Sequence, residues 1–258
     1  MQITNDTETD IDFEENHMNE KSDYDRFTDG LTQYGTLWQK GLKKQANQFL
    51  KQFTDMLTQD WDKASLDTVL ERFCRELCDG RQFDFLTERG NGSLPYALNG
   101  LVWQYLKDCC DKNLMPQMRF AYQIYGNRYN PFNPGYESDV YHILKKAYEH
   151  PQCDHKTAEL YFQAQLDTLG WGAHHFPDGC IITKQLYLDT VSEAERILTE
   201  HSIRDELVHT FSDLHRLYQC YERFEASGKK CDFYRLCKES GISFYPMKTY
   251  YYDKEYPI

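Results

Sequence analysis

The 258-residue sequence predicts an all-α fold, an irregular stack of antiparallel helix pairs of the α-solenoid-like or helical-bundle kind. Three observations predict it. Apolar residues recur every three or four positions along most of the chain, and period-two alternation is almost absent. The breaks between periodic segments are short and carry glycine, proline or helix-capping residues.

Tyr24, Phe27, Leu31, Tyr34 and Trp38 open a stripe that continues through Leu42, Ala46, Phe49, Phe53 and Leu57 along one helical face. Gly35 and Gly41 lie inside it, where a kink or a close helix contact is expected. A second helix follows Ser65 as N-cap, facing Leu66, Val69, Leu70, Phe73, Cys74 and Leu77 inward, with Gly80 at its C-cap. After the glycine-rich break RGNGS, Ser93 caps a third with Pro95 in its first turn. Leu94, Leu98, Leu101, Val102, Tyr105 and Cys109 form the buried face of this third helix.

Pro116 opens a short helix to about Tyr125, and NRYNPFNPGYES then breaks the pattern. Asp139 starts a helix that stops before Pro151, and Asp154 caps one bearing Ala158, Tyr161, Phe162, Leu166 and Leu169. The stretch GWGAHHFPDGC reads as a loop. Thr183 begins a helix with Tyr187, Val191, Ala194 and Leu198, and Ser202 a longer one that ends at Gly228. A last short helix, Asp232–Glu239, ends at Gly241 and leaves an aromatic, extended tail. The organisation expected is an acidic segment over 1–22, one helical domain of roughly nine helices over 23–241, and the tail 242–258.

Charge narrows the function classes. The net charge is −12, but residues 1–25 hold nine acids against Lys21, so that segment carries −8 and the rest only −4. An acidic segment of this kind is solvated, or it steers a basic partner. Nothing resembles a basic stripe, so direct nucleic-acid binding is not expected. No run of about eighteen apolar residues offers a membrane span, and the opening MQITNDTETDIDFEENH lacks the apolar core of a secretory signal. Nine cysteines then suit free thiols in a reducing cytoplasm.

Chemistry-bearing constellations are few. His174-His175 with Cys180 is the most metal-like, yet a zinc site needs three or four converging ligands, and no CxxC or HExxH occurs. No metal, cofactor or catalytic residue is therefore assigned. Arg204 and His209 sit at the spacing of the Arg-x(4–6)-His motif and so resemble the HEPN helical ribonucleases, with Arg196 and His201 as a second match. That resemblance implies a histidine moving the 2′-hydroxyl proton while arginine holds phosphate. Tyrosine is the compositional anomaly, at twenty residues. Tyr129, Phe132 and Tyr136 in the proline loop fall outside the stripes, as do Tyr245, Tyr250, Tyr251 and Tyr252 in the tail. Such rings either seal loops or form interfaces.

The segments SLPYALNGLVWQYL, AYEHPQCDHKTAELYF and GAHHFPDGC resemble those of helical immunity proteins from bacterial polymorphic and contact-dependent toxin systems. The resemblance implies a cytoplasmic, monomeric protein that neutralises a cognate toxin domain, often a nuclease, by binding it, with no catalytic residue of its own. The contact residues expected are Tyr129, Phe132, Tyr136, Glu137 and Asp139. Two alternatives stay open: the ribonuclease built on Arg204 and His209, and a helical-repeat scaffold that holds a peptide or protein.

Overall fold

The computed structural model describes residues 21–80, 82–86, 94–126, 136–244, 250–251 and 254–255. Among them run ten α-helices: α1 (Asp23–Gln39), α2 (Lys43–Asp60), α3 (Lys63–Arg75), α4 (Tyr96–Asp111), α5 (Gln117–Tyr125), α6 (Tyr136–Tyr148), α7 (His155–Gly172), α8 (Lys184–Glu200), α9 (Asp205–Ala226) and α10 (Phe233–Glu239). Two two-residue strands, β1 (Tyr250–Tyr251) and β2 (Lys254–Glu255), pair antiparallel in the tail, Tyr250 opposite Glu255. The fold is all-α. Contacts group the chain into two compact units, Met1–Gly90 with Leu94–Leu101, and Asn91–Ser93 with Val102–Ile258. The boundary falls inside α4, where no change of composition marks it.

In the first unit Ser22 caps α1, its hydroxyl accepting from the Asp25 N–H, and Tyr24, Phe27, Leu31 and Tyr34 are buried. The stripe from Tyr24 to Leu57, expected to kink or to make a close helix contact at Gly35 and Gly41, is cut outright at Gly41. This residue takes φ +76°, and the Leu42 N–H closes onto the Leu37 carbonyl at 3.0 Å. Glycine adopts that left-handed conformation without a Cβ penalty, so the helix stops although the apolar spacing continues. Helix α2 then packs back on α1. Contact is close enough that a Cβ on Gly30 would lie 2.3 Å from the Phe53 ring of α2, while one on Gly35 would lie 2.8 Å from Phe85 in the Asp84–Leu86 turn. The N-cap of α3 is Asp62 rather than Ser65: Asp62 Oδ1 accepts the Ser65 N–H at 2.8 Å. Phe73 meets Phe27 edge-on at 5.4 Å and Phe83 at 5.0 Å, closing the core. Glu76–Gly80 forms a π turn, so Gly80 ends that turn rather than an α-helix.

In the second unit α7 is the central helix. Ala158, Tyr161, Phe162, Ala164, Gln165, Leu166 and Leu169 are buried around most of its circumference, because α6, α8 and α9 all pack on it. Asp154, Thr183 and Asp232 cap α7, α8 and α10 with side-chain acceptors, and Gly228 and Gly241 end α9 and α10 at positive φ. Two starts differ from expectation. Helix α6 begins at Tyr136, three residues before Asp139, and α9 is entered at Arg204 rather than Ser202. Ser93, the expected cap of α4, lies outside the described residues. No helix among those described is long and apolar enough to cross a membrane.

Tyr24, Tyr148 and Tyr161 combine a buried ring with a polar handle. Tyr24 donates to Glu76 and Tyr148 to Glu200, each across 52 residues of chain. In both places an arginine one turn before the glutamate lies over the ring, Arg72 at 3.8 Å and Arg196 at 4.8 Å. Tyr161 donates to Glu193 at 2.8 Å, which Arg196 also grips at 2.7 Å. Each phenol thus buries its ring and reaches a carboxylate at the helix surface, which satisfies a hydroxyl that would otherwise be stranded.

The second clamp has a pH signature. Arg196, then the Tyr161 hydroxyl, hold Glu193 below the usual carboxylate range; the Tyr148 hydroxyl, then Arg196, do the same for Glu200. A depressed folded pKa contributes stability that is complete above the unfolded value of about 4.3 and is lost as pH falls through the folded one. Urea midpoints are expected to be level from pH 7 to about 5 and to fall below that. Arg196→Met should flatten the acid limb. An equally steep limb in that variant would assign the acid sensitivity to other carboxylates.

Candidate functional site

The feature that stands out in the second unit lies where α7 passes to α8. Helix α7 ends at Gly172, and the chain crosses to Thr183 through a tied loop, with the Ile181 N–H on the Gly172 carbonyl at 3.0 Å and the Gly179 N–H on the His175 carbonyl at 3.1 Å. Phe176 plugs this loop into the core. It stacks on Tyr221 at 4.0 Å with a 6° interplanar angle, and meets Tyr218 edge-on at 5.1 Å. Lys229 fastens the far side through the Asp178 carbonyl at 3.3 Å.

Beneath the loop opens a cavity of about 470 Å³ between the start of α8 and the C-terminal half of α9. Helix α9 supplies Tyr218, Tyr221, Glu222, Glu225 and Ala226, positions that share one face by the helical repeat. Helix α8 supplies Lys184 and Tyr187; Cys180, Ile182 and Thr183 come from the loop. The walls are held firmly. Tyr187 stacks on Tyr218 at 4.4 Å, and the Tyr218 hydroxyl donates to the Leu169 carbonyl at 2.9 Å. The Tyr187 hydroxyl meets His215 Nδ1 at 3.2 Å, while Gln219 lies 2.9 Å from Nε2. A neutral His215 can accept from Gln219 at Nε2 while its Nδ1–H donates to Tyr187.

Electrostatics at the cavity set neutral walls against a charged rim. Burial, then Glu222 and Glu195, pushes the Tyr187 phenol up to about 12; burial and its bond to Glu225 take Tyr221 to about 12 as well. The walls are therefore neutral phenols at physiological pH. Negative charge sits at the mouth. Glu225 is held below the usual carboxylate range by the Tyr221 hydroxyl and then Lys229. Glu222 pairs with Lys184 at 3.3 Å.

The chain around the cavity exposes apolar side chains. Trp171 is 60% exposed beside Gly172, Ile181 40% exposed between two lining residues, and Leu186 and Leu188, 44% and 47% exposed, flank Tyr187. Each of these four is a sequence neighbour of a residue that lines or abuts the cavity, and exposed apolar side chains are ordinary on a protein surface.

The residues singled out in the sequence are placed as follows. Tyr129 and Phe132 lie outside the described residues; Tyr136, Glu137 and Asp139 belong to the first turn of α6, where only the backbone is described. Arg204 Nε is bonded to Glu159 at 2.7 Å, and His209 is exposed on α9; neither lines the cavity. Arg196 is enclosed by Glu193 and Glu200, and His201 rests edge-on against Tyr148 at 5.4 Å. His174 and His175 are exposed with ring centroids 5.0 Å apart, Trp171 lying 5.6 Å from the first, while Cys180 faces the cavity. Among the described residues no three His, Cys, Asp or Glu side chains are grouped to hold a metal ion. None of the nine cysteines is joined in a disulfide.

Trp171 and the tyrosine pocket are what sequence reasoning passed over. One signal for Trp171 was present: the buried stripe of α7 runs Tyr161, Phe162, Leu166, Leu169, and Trp171 falls off it. Comparison with protein-family models, with curated proteins and with solved structures finds no match.

Proposed function

We propose that this chain is a cytoplasmic binding protein that neutralises a cognate toxin domain by covering it, with the α7–α8 turn as the face that docks. The observation that carries the docking reading is Trp171, largely exposed one residue before Gly172, whose backbone abuts the cavity-lining Tyr218 and Ile182, in a frame fixed by stacking and hydrogen bonds. Tryptophan and tyrosine dominate interface energetics when a rigid frame presents them, because little conformational entropy is lost on docking. The carboxylates of Glu222 and Glu225 and the acidic 1–25 segment would draw in a basic partner, and a nuclease domain, which grips phosphate with lysine and arginine, is basic where it must be blocked. The toxin itself enters through the resemblance of segments such as GAHHFPDGC, part of this turn, to those of immunity proteins.

The test is co-expression of the full chain with the toxin domain encoded beside its gene. The pair should co-elute on size exclusion, and the host should survive toxin expression only when this chain is present. A genome with no toxin gene adjacent, or a purified pair that elutes as two separate species, removes the proposal.

A further inference from the structure

The geometry points to one arginine side chain of a protein partner as the occupant of the cavity beneath the α7–α8 turn. The inference rests on the docking reading above and names its anchor. The cavity offers an apolar lining, made of Ile182, Ala226 and the rings of Tyr187, Tyr218 and Tyr221, with the carboxylates of Glu222 and Glu225 at its exposed rim. Its volume of about 470 Å³ falls within the range of pockets that enclose a ligand. An occupant that matches both parts has a methylene stem and a cationic head. Lysine and arginine both have that form.

The protein already places a cation there. Lys184 reaches Glu222 Oε1 at 3.3 Å, with the lysine side chain 76% exposed. Among the described residues this is the one ion pair that Glu222 makes, whereas Glu225 is engaged by both Tyr221 and Lys229. An exposed lysine making one contact is weakly held. A guanidinium can replace it with two parallel bonds to the carboxylate and can lie flat on a tyrosine face, neither of which an ammonium does as well. Glu195 adds a second negative charge that bears on Tyr187. Lys184 is thus an occupant that a better cation displaces.

The experiment is an NMR titration of the full chain, following tyrosine ring signals, with N-acetyl-arginine amide and, in parallel, N-acetyl-leucine amide. Arginine amide should give saturable shifts at Tyr187, Tyr218 and Tyr221 in the millimolar range expected of a single side chain, and leucine amide should not. Lys184→Ala should tighten arginine binding several-fold. Glu222→Gln should abolish it while melting at the wild-type temperature, since the residue is exposed. An equal response to leucine amide would make the cavity an apolar anchor site and overturn the inference. So would arginine shifts that persist in Glu222→Gln, or no response even in Lys184→Ala. The docking reading fails separately: toxin co-elution with a failed titration discards only the anchor, and a successful titration without co-elution discards only the toxin.

Discussion

Trp171→Ala is expected to weaken binding of the protein partner by about 2–4 kcal/mol, roughly 30- to 700-fold in Kd, and to leave folding almost unchanged. The two halves of that expectation have separate causes. The indole is 60% exposed and its ring partner is the exposed His174, so truncation removes little from the folded core. Surface changes of this kind stay within about 0.5 kcal/mol of stability. In a complex the same ring would lose its water and fill a recess on the partner, where truncation is most costly. Isothermal titration with the purified toxin domain gives the first quantity and a thermal melt the second. The informative control is the paired change Tyr129→Ala and Phe132→Ala in the proline loop, the contact residues expected from sequence. If those changes weaken binding and Trp171→Ala does not, the docking face is the loop and the α7–α8 turn is a bystander.

The helices were legible because each must bury one face, and a 3.6-residue period records that burial directly. Caps were legible where a single candidate stood at the right distance, as at Asp154, Thr183 and Asp232. They were misread where two stood close together. Asp62 and Ser65 can each accept a backbone N–H, and once Asp62 caps, Ser65 becomes the residue whose N–H is capped. Gly41 was marked for a kink or close contact, but the full stop there was not legible because Trp38, Leu42 and Ala46 keep helical spacing across it. The reversal depends on the backbone of one glycine, which hydrophobic spacing does not register.

Contacts between elements leave no periodic trace at all. Nothing in the sequence joins Tyr148 to Glu200 or Tyr24 to Glu76, so these two tyrosines read as stripe members and their carboxylate partners were not legible. For the same reason the pocket was invisible: Tyr187 and Tyr218 counted as stripe members, and only their stacking across two helices makes them walls. The histidines and Cys180 singled out the loop whose Phe176 packs against the cavity-lining Tyr218 and Tyr221, and among the described residues they group into no metal site.

Two glycines at the end of α7 should respond to alanine with opposite signs. At Gly170 a Cβ meets nothing within 4 Å and the position is exposed, so Gly170→Ala should stabilise by up to about 1 kcal/mol by restricting the unfolded chain. At Gly172 a Cβ would lie 2.1 Å from the Tyr218 hydroxyl and 2.6 Å from Ile182 Cγ1. A flexible side chain could swing away, but Tyr218 is stacked on Tyr187 and bounded by Phe176, so its hydroxyl can move only by leaving the Leu169 carbonyl. Overpacking and a stranded buried hydroxyl together make Gly172→Ala destabilising by about 2–4 kcal/mol, a fall in Tm of roughly 5–15 °C. The cause can be isolated by a cycle. Tyr218→Phe alone loses a hydrogen bond and should cost about 1 kcal/mol; made in the Gly172→Ala background it removes the atom in the way and should cost nothing or restore stability. Ile182 keeps that rescue partial. Strict additivity of the two changes would mean that the clash is relieved elsewhere. In that case Gly172 would not be the residue that lets Tyr218 anchor α9 to the end of α7 and hold the tyrosine wall in place.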